Sequence, residues 1–210
     1  DIFGQETMPT FDLRNTRFLL SFGADFLSTW TAPVQYSKGY GHFRQGEDRD
    51  RGTLVQVDSR FSMTAANADD WIPIEPGMEG KLALSIASVI IAEKLVPQDR
   101  IDAMTGREDT SFLDQYLPHV IGQELGIPPL RGREPSQVIE ELARDFARHG
   151  SHSIAIGGGS TAAHTNGLFN LSAIYALNFL VGSVGAEGGI KFNPPAPTRE
   201  LANVIPPATL

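Results

Sequence analysis

Four short loops hold the residues whose types and spacing could do binding chemistry: "SFGADF" (21–26), "VDSRF" (57–61), "PIEPGMEG" (73–80) and "AIGGGS" (155–160). Gly23 lets the backbone come close to a ligand. Asp58 ends an apolar run, at the place where dinucleotide folds hold a ribose hydroxyl. Pro76-Gly77 forms a tight turn, and Glu79 follows it at the start of a helical segment. A carboxylate there can accept two hydrogen bonds from a guanine edge. Gly157, Gly158 and Gly159 offer open backbone N–H groups suited to phosphate. Each residue also has a plainer use. "FGADF" lacks the G-x-G-x-x-G fingerprint. Asp58 can cap the next turn, Glu79 can complement a helix dipole, and three glycines can be a turn and nothing more. It is the set, on one rim, that points to a nucleotide. Of the five histidines only His164 falls near these loops; His149 and His152 read as surface residues, divided by a helix end and Gly150. No Ser-His-Asp set has a nucleophile elbow around it.

The elements that must position these loops follow from periodicity. Short apolar or β-branched runs predict strands at 17–22, 53–58, 70–74 and 152–157, with Pro73 marking the third as an edge or irregular position. Helical patterns fill 81–95, 136–148 and 166–181. The second is expected to start with Ser136 as N-cap after Pro135, with Glu140 near the capping-box position. The third is apolar nearly all round, which predicts deep packing. Strands alternating with helices imply an α/β fold: a doubly wound, mainly parallel sheet with helices on both faces. The expected organisation is a first βα segment over 1–96, an irregular excursion over 97–135 with a helix-like piece near "SFLDQYLPHVIGQEL", a closing βα segment over 136–190, and a Pro-rich, extended tail over 191–210. "GEDRDRG" (46–52) reads as a solvated loop of mixed charge, and Trp30 as a core or rim aromatic.

Composition narrows the function classes. A net charge of −8, from 25 acids against 17 bases, argues against general nucleic-acid binding, which needs a basic face to displace counterions. With no cysteine, the chain holds no iron–sulfur cluster, thiolate zinc site or disulfide. Its longest apolar stretches, "LALSIASVIIA" and "LFNLSAIYALNFLVG", fall short of the ~20 residues of a spanning helix. The chain does not begin with Met, and the expectation is of a piece of something longer.

With these loops in view, the chain resembles the central part of the molybdopterin oxidoreductases, the dimethyl sulfoxide reductase and formate dehydrogenase group. The resemblance is carried by "FLLSFGADF", "VQVDSRFSMTAANADDWIPIEPGMEGKLALSIASVII" and "AIGGGSTAAHTNGLFNLSAIYALNFLVGSVGAEGG", in that order, and covers nearly everything outside 97–135. It implies a fold like the family's domains 1–3. It also implies a molybdopterin guanine dinucleotide against these loops. Phe22, Gly23, Ala24, Asp25 and Phe26 match the first contact loop; Asp58, Ser59 and Arg60 match the second. Gly77, Met78 and Glu79 match the guanine-reading turn. Ile156, Gly157, Gly158, Gly159, Ser160 and His164 match the turn at the pterin end. No catalytic residue and no metal ligand is carried over.

Several positions depart from the family pattern. Asp25 stands where Asn is usual, Ser59 where Pro is usual, and Met78-Glu79 where Thr-Asp is usual; two additional residues stand between Gly159 and His164. Glu for Asp keeps the guanine-pairing chemistry, whereas Asp25 adds charge near phosphates. The family's iron–sulfur domain, metal-ligating residue and C-terminal barrel have no counterpart here. The resemblance therefore implies a fragment inactive alone, completed by the remaining domains including an iron–sulfur domain, with an electron-transfer subunit and membrane anchor, on the extracytoplasmic face of a bacterial membrane. "GADF" followed by "TWTAPVQY" also looks like the fused large subunit of alternative complex III, which implies a rival: a cofactor-free structural subunit of a respiratory complex.

Overall fold

The computed structural model describes residues 2–46, 50–106 and 109–194. Its centre is a four-stranded sheet built from β2 (Phe18–Phe22), β3 (Thr53–Val57), β4 (Asp70–Ile72) and β5 (Ser153–Gly157), in the order β4-β3-β2-β5. Every pairing is parallel. The register is level: Phe18 lies opposite both Thr53 and Ser153, and Phe22 opposite both Val57 and Gly157. The C-terminal ends of β2, β3 and β5 therefore share one rim. β4 is one of the two edge strands, with Pro73 just beyond it, where its missing N–H breaks no ladder bond. β1 (Pro9–Phe11) and β6 (Ile190–Phe192) pair antiparallel in a separate two-stranded sheet that the sequence patterning did not announce.

Alternation along each strand divides the core in two. Phe18, Leu20, Phe22, Val55 and Val57 face one layer, with α3 (Glu79–Ala92), α6 (Pro135–Arg148) and α8 (Gly167–Val181) packed on it. Leu19, Leu54, Ile154 and Ile156 face the other, covered by α1 (Pro33–Phe43) and the aromatic cluster of Phe11, Trp30 and Tyr36. Short α2 (Met63–Ala66) sits between β3 and β4, its Ser62 Oγ accepting from Ala65 N–H (3.2 Å). The segment 97–135 carries more helix than the expected single piece: α4 (Gln98–Thr105), a 3-10 turn at Ser111–Tyr116 and α5 (Pro118–Ile121).

Three expectations need correction. The N-cap of α6 lies two residues before Ser136. Glu134 is its N-cap in a capping box with Gln137, and Pro135 takes the first helical position, where its fixed φ and absent N–H suit it. Glu140 instead meets Arg144 (3.2 Å). α3 runs from Glu79 to Ala92 rather than to residue 95, because Lys94 turns to φ 53°. α8 is not deeply packed all round: Leu168, Phe169 and Phe179 are exposed, since only one side of the helix meets α3 and β5. The expected solvated loop falls partly, and the Pro-rich tail mostly, outside the described residues.

Candidate functional site

The level register puts the first, second and fourth loops side by side beyond the C-terminal ends of β2, β3 and β5. Chain order against strand order reverses between β2 and β5, the switch point where open α/β sheets take ligands. Here the two turns are in close contact. Gly23 has φ 59°, and a Cβ on it would stand 1.9 Å from Ser160 Oγ. A Cβ on Gly158 would stand 2.3 Å from Ala24 Cα. Gly158 N–H donates to Phe22 O (2.8 Å), and Thr161 Oγ1 donates to the same oxygen (2.9 Å). Only glycine permits this approach.

Phe22, Ala24, Phe26 and Ile156 are fully buried, so their side chains serve the core and only their backbones are available to the rim. Asp25 is a latch. Its Oδ1 accepts from Thr64 Oγ1 (2.8 Å) and Thr64 N–H (3.3 Å), and its Oδ2 lies 3.7 Å from the Arg60 guanidinium. The additional charge that Asp25 brings is thereby partnered within the protein. Asp58 is buried; its Oδ1 accepts from Arg60 N–H (3.2 Å) and its Oδ2 from Gln56 Nε2 (3.3 Å). The turn-capping use of Asp58 is therefore real. Trp71 Nε1 donates to Asp58 O (3.0 Å), and its ring holds exposed Phe61 edge-on at 5.0 Å. Ser59, Arg60, Gly159, Ser160 and His164 are exposed.

The third loop is held by hydrogen bonds from the start of α8. Glu79 is the first residue of α3 and is buried, 2% exposed. Burial pushes its carboxyl above the ordinary range. Its own N–H, the His164 charge and the Gly77 N–H pull the other way, and Asp58 adds a further upward push. Asp58 and His164 are thus both near enough to act on Glu79, and a Cβ on Gly77 would lie 3.7 Å from His164 Cγ. Met78 is half-buried and packs against the core.

Two residues that sequence reasoning missed organise this corner. Asn170 Nδ2 lies within hydrogen-bond distance of Glu79 Oε2 (3.3 Å), Gly77 O (3.3 Å) and Thr161 O (3.4 Å), and its Oδ1 accepts from Gly80 N–H (3.2 Å). Asn166 Nδ2 donates to Gly77 O (2.9 Å). For Asn170 the available signal was a polar amide in an otherwise apolar helix, which burial makes costly unless it is bonded; Asn166 is exposed and stands just before that helix. Among the described residues no cluster of three or more His, Asp or Glu is arranged to hold a metal ion, and no helix is long and apolar enough to cross a membrane. A cavity of about 380 Å³ opens between β1 and α1, lined by Phe11, Leu13, Tyr36 and Lys191 among others, and shares no residue with the four loops.

A parallel sheet with its glycine turns and acids gathered on one rim defines an open α/β domain. The sequence pattern of the molybdopterin oxidoreductase family matches residues 3–199, and the chain belongs to that family. The menaquinone reductase molybdopterin-binding-like subunit of Nitratidesulfovibrio vulgaris is 27% identical over 93% of this chain and 26% of its own length. A probable dimethyl sulfoxide reductase chain of Escherichia coli, YnfF, is 31% identical over 85% of this chain and 23% of its own. Among solved structures, acetylene hydratase from Pelobacter acetylenicus superposes with a TM-score of 0.67 over 89% of this chain and 24% of that one, at 20% identity, a likeness of fold. The chain spans about a quarter of the length of these relatives.

Proposed function

We propose that this chain is the central portion of a molybdopterin-dependent oxidoreductase, that it binds the guanine dinucleotide part of the cofactor, and that it is not catalytic alone. The observation that carries the reading is the convergence of the glycine turns after β2 and β5 with the Asp58 turn after β3 on one rim of a parallel sheet, with Glu79 close enough for both Asp58 and His164 to influence it. The residues present suit the group. Glu79 offers a buried carboxylate for guanine N1–H and N2–H₂. Asp58 keeps spare lone pairs for ribose, and exposed Arg60 with the backbone N–H groups of Gly159 and Ser160 suits phosphate. When bound, the cofactor brings the redox-active metal; this chain's share is to bind and orient its nucleotide end. The remaining domains, including an iron–sulfur domain, together with an electron-transfer subunit and a membrane anchor outside the cytoplasm, complete the assembly on this reading. Co-purification of the full-length protein without any iron–sulfur signal would count against that part.

A second reading, a cofactor-free structural subunit of the alternative complex III type, is favoured by the way Asp25 is satisfied internally by Thr64 and Arg60. The two readings separate in a titration of GMP and AMP against the native chain and Glu79→Gln. Cofactor binding predicts a preference for GMP that the substitution removes. No binding, or equal binding of both nucleotides, supports the scaffold.

A further inference from the structure

The chain carries a net charge of −8, yet the cavity of about 380 Å³ between β1 and α1 is bordered by Arg14, Lys38, Lys191 and His42 against a single acid, Asp12. That acid is already answered from within: Lys191 Nζ (2.9 Å), the Gly188 N–H (3.1 Å) and Asn15 Nδ2 (3.1 Å) all donate to it. Lys38 has no hydrogen-bond or ion-pair partner among the described residues. Cationic charge is therefore in excess at this mouth, and it attracts a group of opposite sign.

Helical spacing builds one wall. Gln35, Lys38 and His42 stand at i, i+3 and i+7 of α1 and share an exposed stripe, beside the face on which Tyr36 and Phe43 are buried. The facing wall is the chain at and just past β1, together with Lys191 of β6. Gly39 lies in the middle of the stripe, where a Cβ would stand 3.1 Å from Leu13 Cβ. A glycine inside a helix costs about 1 kcal/mol relative to alanine, and here it accommodates the close approach of α1 to Leu13. Phe11, Leu13 and Tyr36 are otherwise buried and present apolar edges to the cavity. The Tyr36 hydroxyl is engaged by Thr31 and the Phe11 backbone, so this residue offers its ring. Small-molecule sites of about 300–1,000 Å³ combine an apolar lining with a few placed polar groups in this way.

We propose that this cavity binds a small organic anion, a carboxylate carried on a flat apolar body, with the carboxylate at Lys38 and the body over Phe11, Tyr36 and Gly39. The methylene stem of Lys38 can lie along the same body while its ammonium meets the charge. The inference stands on the cavity and is independent of the nucleotide reading. An anion without an apolar body leaves the floor wet, and a neutral aromatic leaves the cations unanswered.

The test is amide chemical-shift mapping of this chain at low salt with 2-naphthoate, 2-naphthalenemethanol and acetate. 2-Naphthoate is expected to bind with a dissociation constant below about 1 mM and to move the amides of Phe11, Leu13, Tyr36, Gly39 and Lys191. The alcohol and acetate are each expected to bind about tenfold more weakly, the first for want of the charge and the second for want of the apolar area. Lys38→Met keeps the stem and removes the charge. It is expected to weaken 2-naphthoate about tenfold and to leave the alcohol unchanged. Equal binding of 2-naphthoate and the alcohol, equal binding of 2-naphthoate and acetate, or no loss in Lys38→Met overturns the proposal. So does a titration in which 2-naphthoate moves no amide around the cavity. The ratios among the three ligands on the native chain decide the matter even where the variant does not fold.

Discussion

Glu79 is under opposed influences: burial favours its neutral form, and its place at a helix start with Gly77 and its own N–H nearby favours the anion. Burial prevails, against the expectation from the helix dipole alone. The direction has a sign that can be measured. Between the ordinary value of 4.5 and its raised folded value, the folded protein holds a proton that the unfolded chain has released. The stability that Glu79 contributes is therefore full below 4.5 and lost as pH rises through the folded pKa. Urea midpoints taken upward from that pH should fall for the native chain, and Glu79→Gln should flatten the fall. Identical slopes in the two proteins would contradict the buried position of the acid. In the ligand-bound state the same substitution exchanges an acceptor for a donor, and is expected to weaken guanine-nucleotide binding by about 1.5–3 kcal/mol.

At the scale of elements, the rim depends on β5 lying level with β2, and β5 is an edge strand. Asn178 of α8 takes the place of a fifth strand: its Nδ2 donates to Ala155 O (2.9 Å) and its Oδ1 accepts from Ala155 N–H (2.9 Å). Asn178→Leu would leave both buried backbone groups unpaired, at about 1–3 kcal/mol each. The expected result is a loss of several kcal/mol in chemical denaturation; a loss under 1 kcal/mol would show the edge to be held by packing instead. Gly158→Ala would drive a methyl into the Ala24 backbone, and should lower the thermal midpoint by more than Gly159→Ala, where a Cβ meets nothing within 4 Å. Equal midpoints for the two variants would refute the close approach of the two turns. The four parallel strands were legible because each is a short apolar run closed by a turn residue, and the edge position of β4 because Pro73 follows it. β1 and β6 were not legible: three residues each carry too little alternation, and they pair across almost the whole chain. Asn170 escaped because an apolar helix reads the same whether or not one amide reaches across to a neighbouring turn, and Asn166 because it stands exposed just before that helix.

At the scale of the molecule, the sheet has both faces covered, yet the chain spans only about a quarter of its relatives and has no cysteine. On the proposed reading, purified chain mixed with a reduced viologen and dimethyl sulfoxide turns over no substrate; sustained dye oxidation would overturn that. Order along the chain made the family legible, because four turns and the helix after them recur at matched spacing. The site was less legible. A list of matched residues does not distinguish Phe22, Phe26 and Ile156, whose side chains fill the core, from Arg60 and Ser160, which face solvent. The central claim is that the rim, and not the cavity between β1 and α1, is where a guanine nucleotide binds. The most direct measurement is amide chemical-shift mapping by NMR as GDP is added to the chain. The account predicts shifts concentrated at 22–26, 58–60, 77–80 and 157–161, with the Asn166 and Asn170 side-chain amides moving as well. Shifts gathered around Phe11, Tyr36 and Lys191, with the rim unmoved, would contradict it.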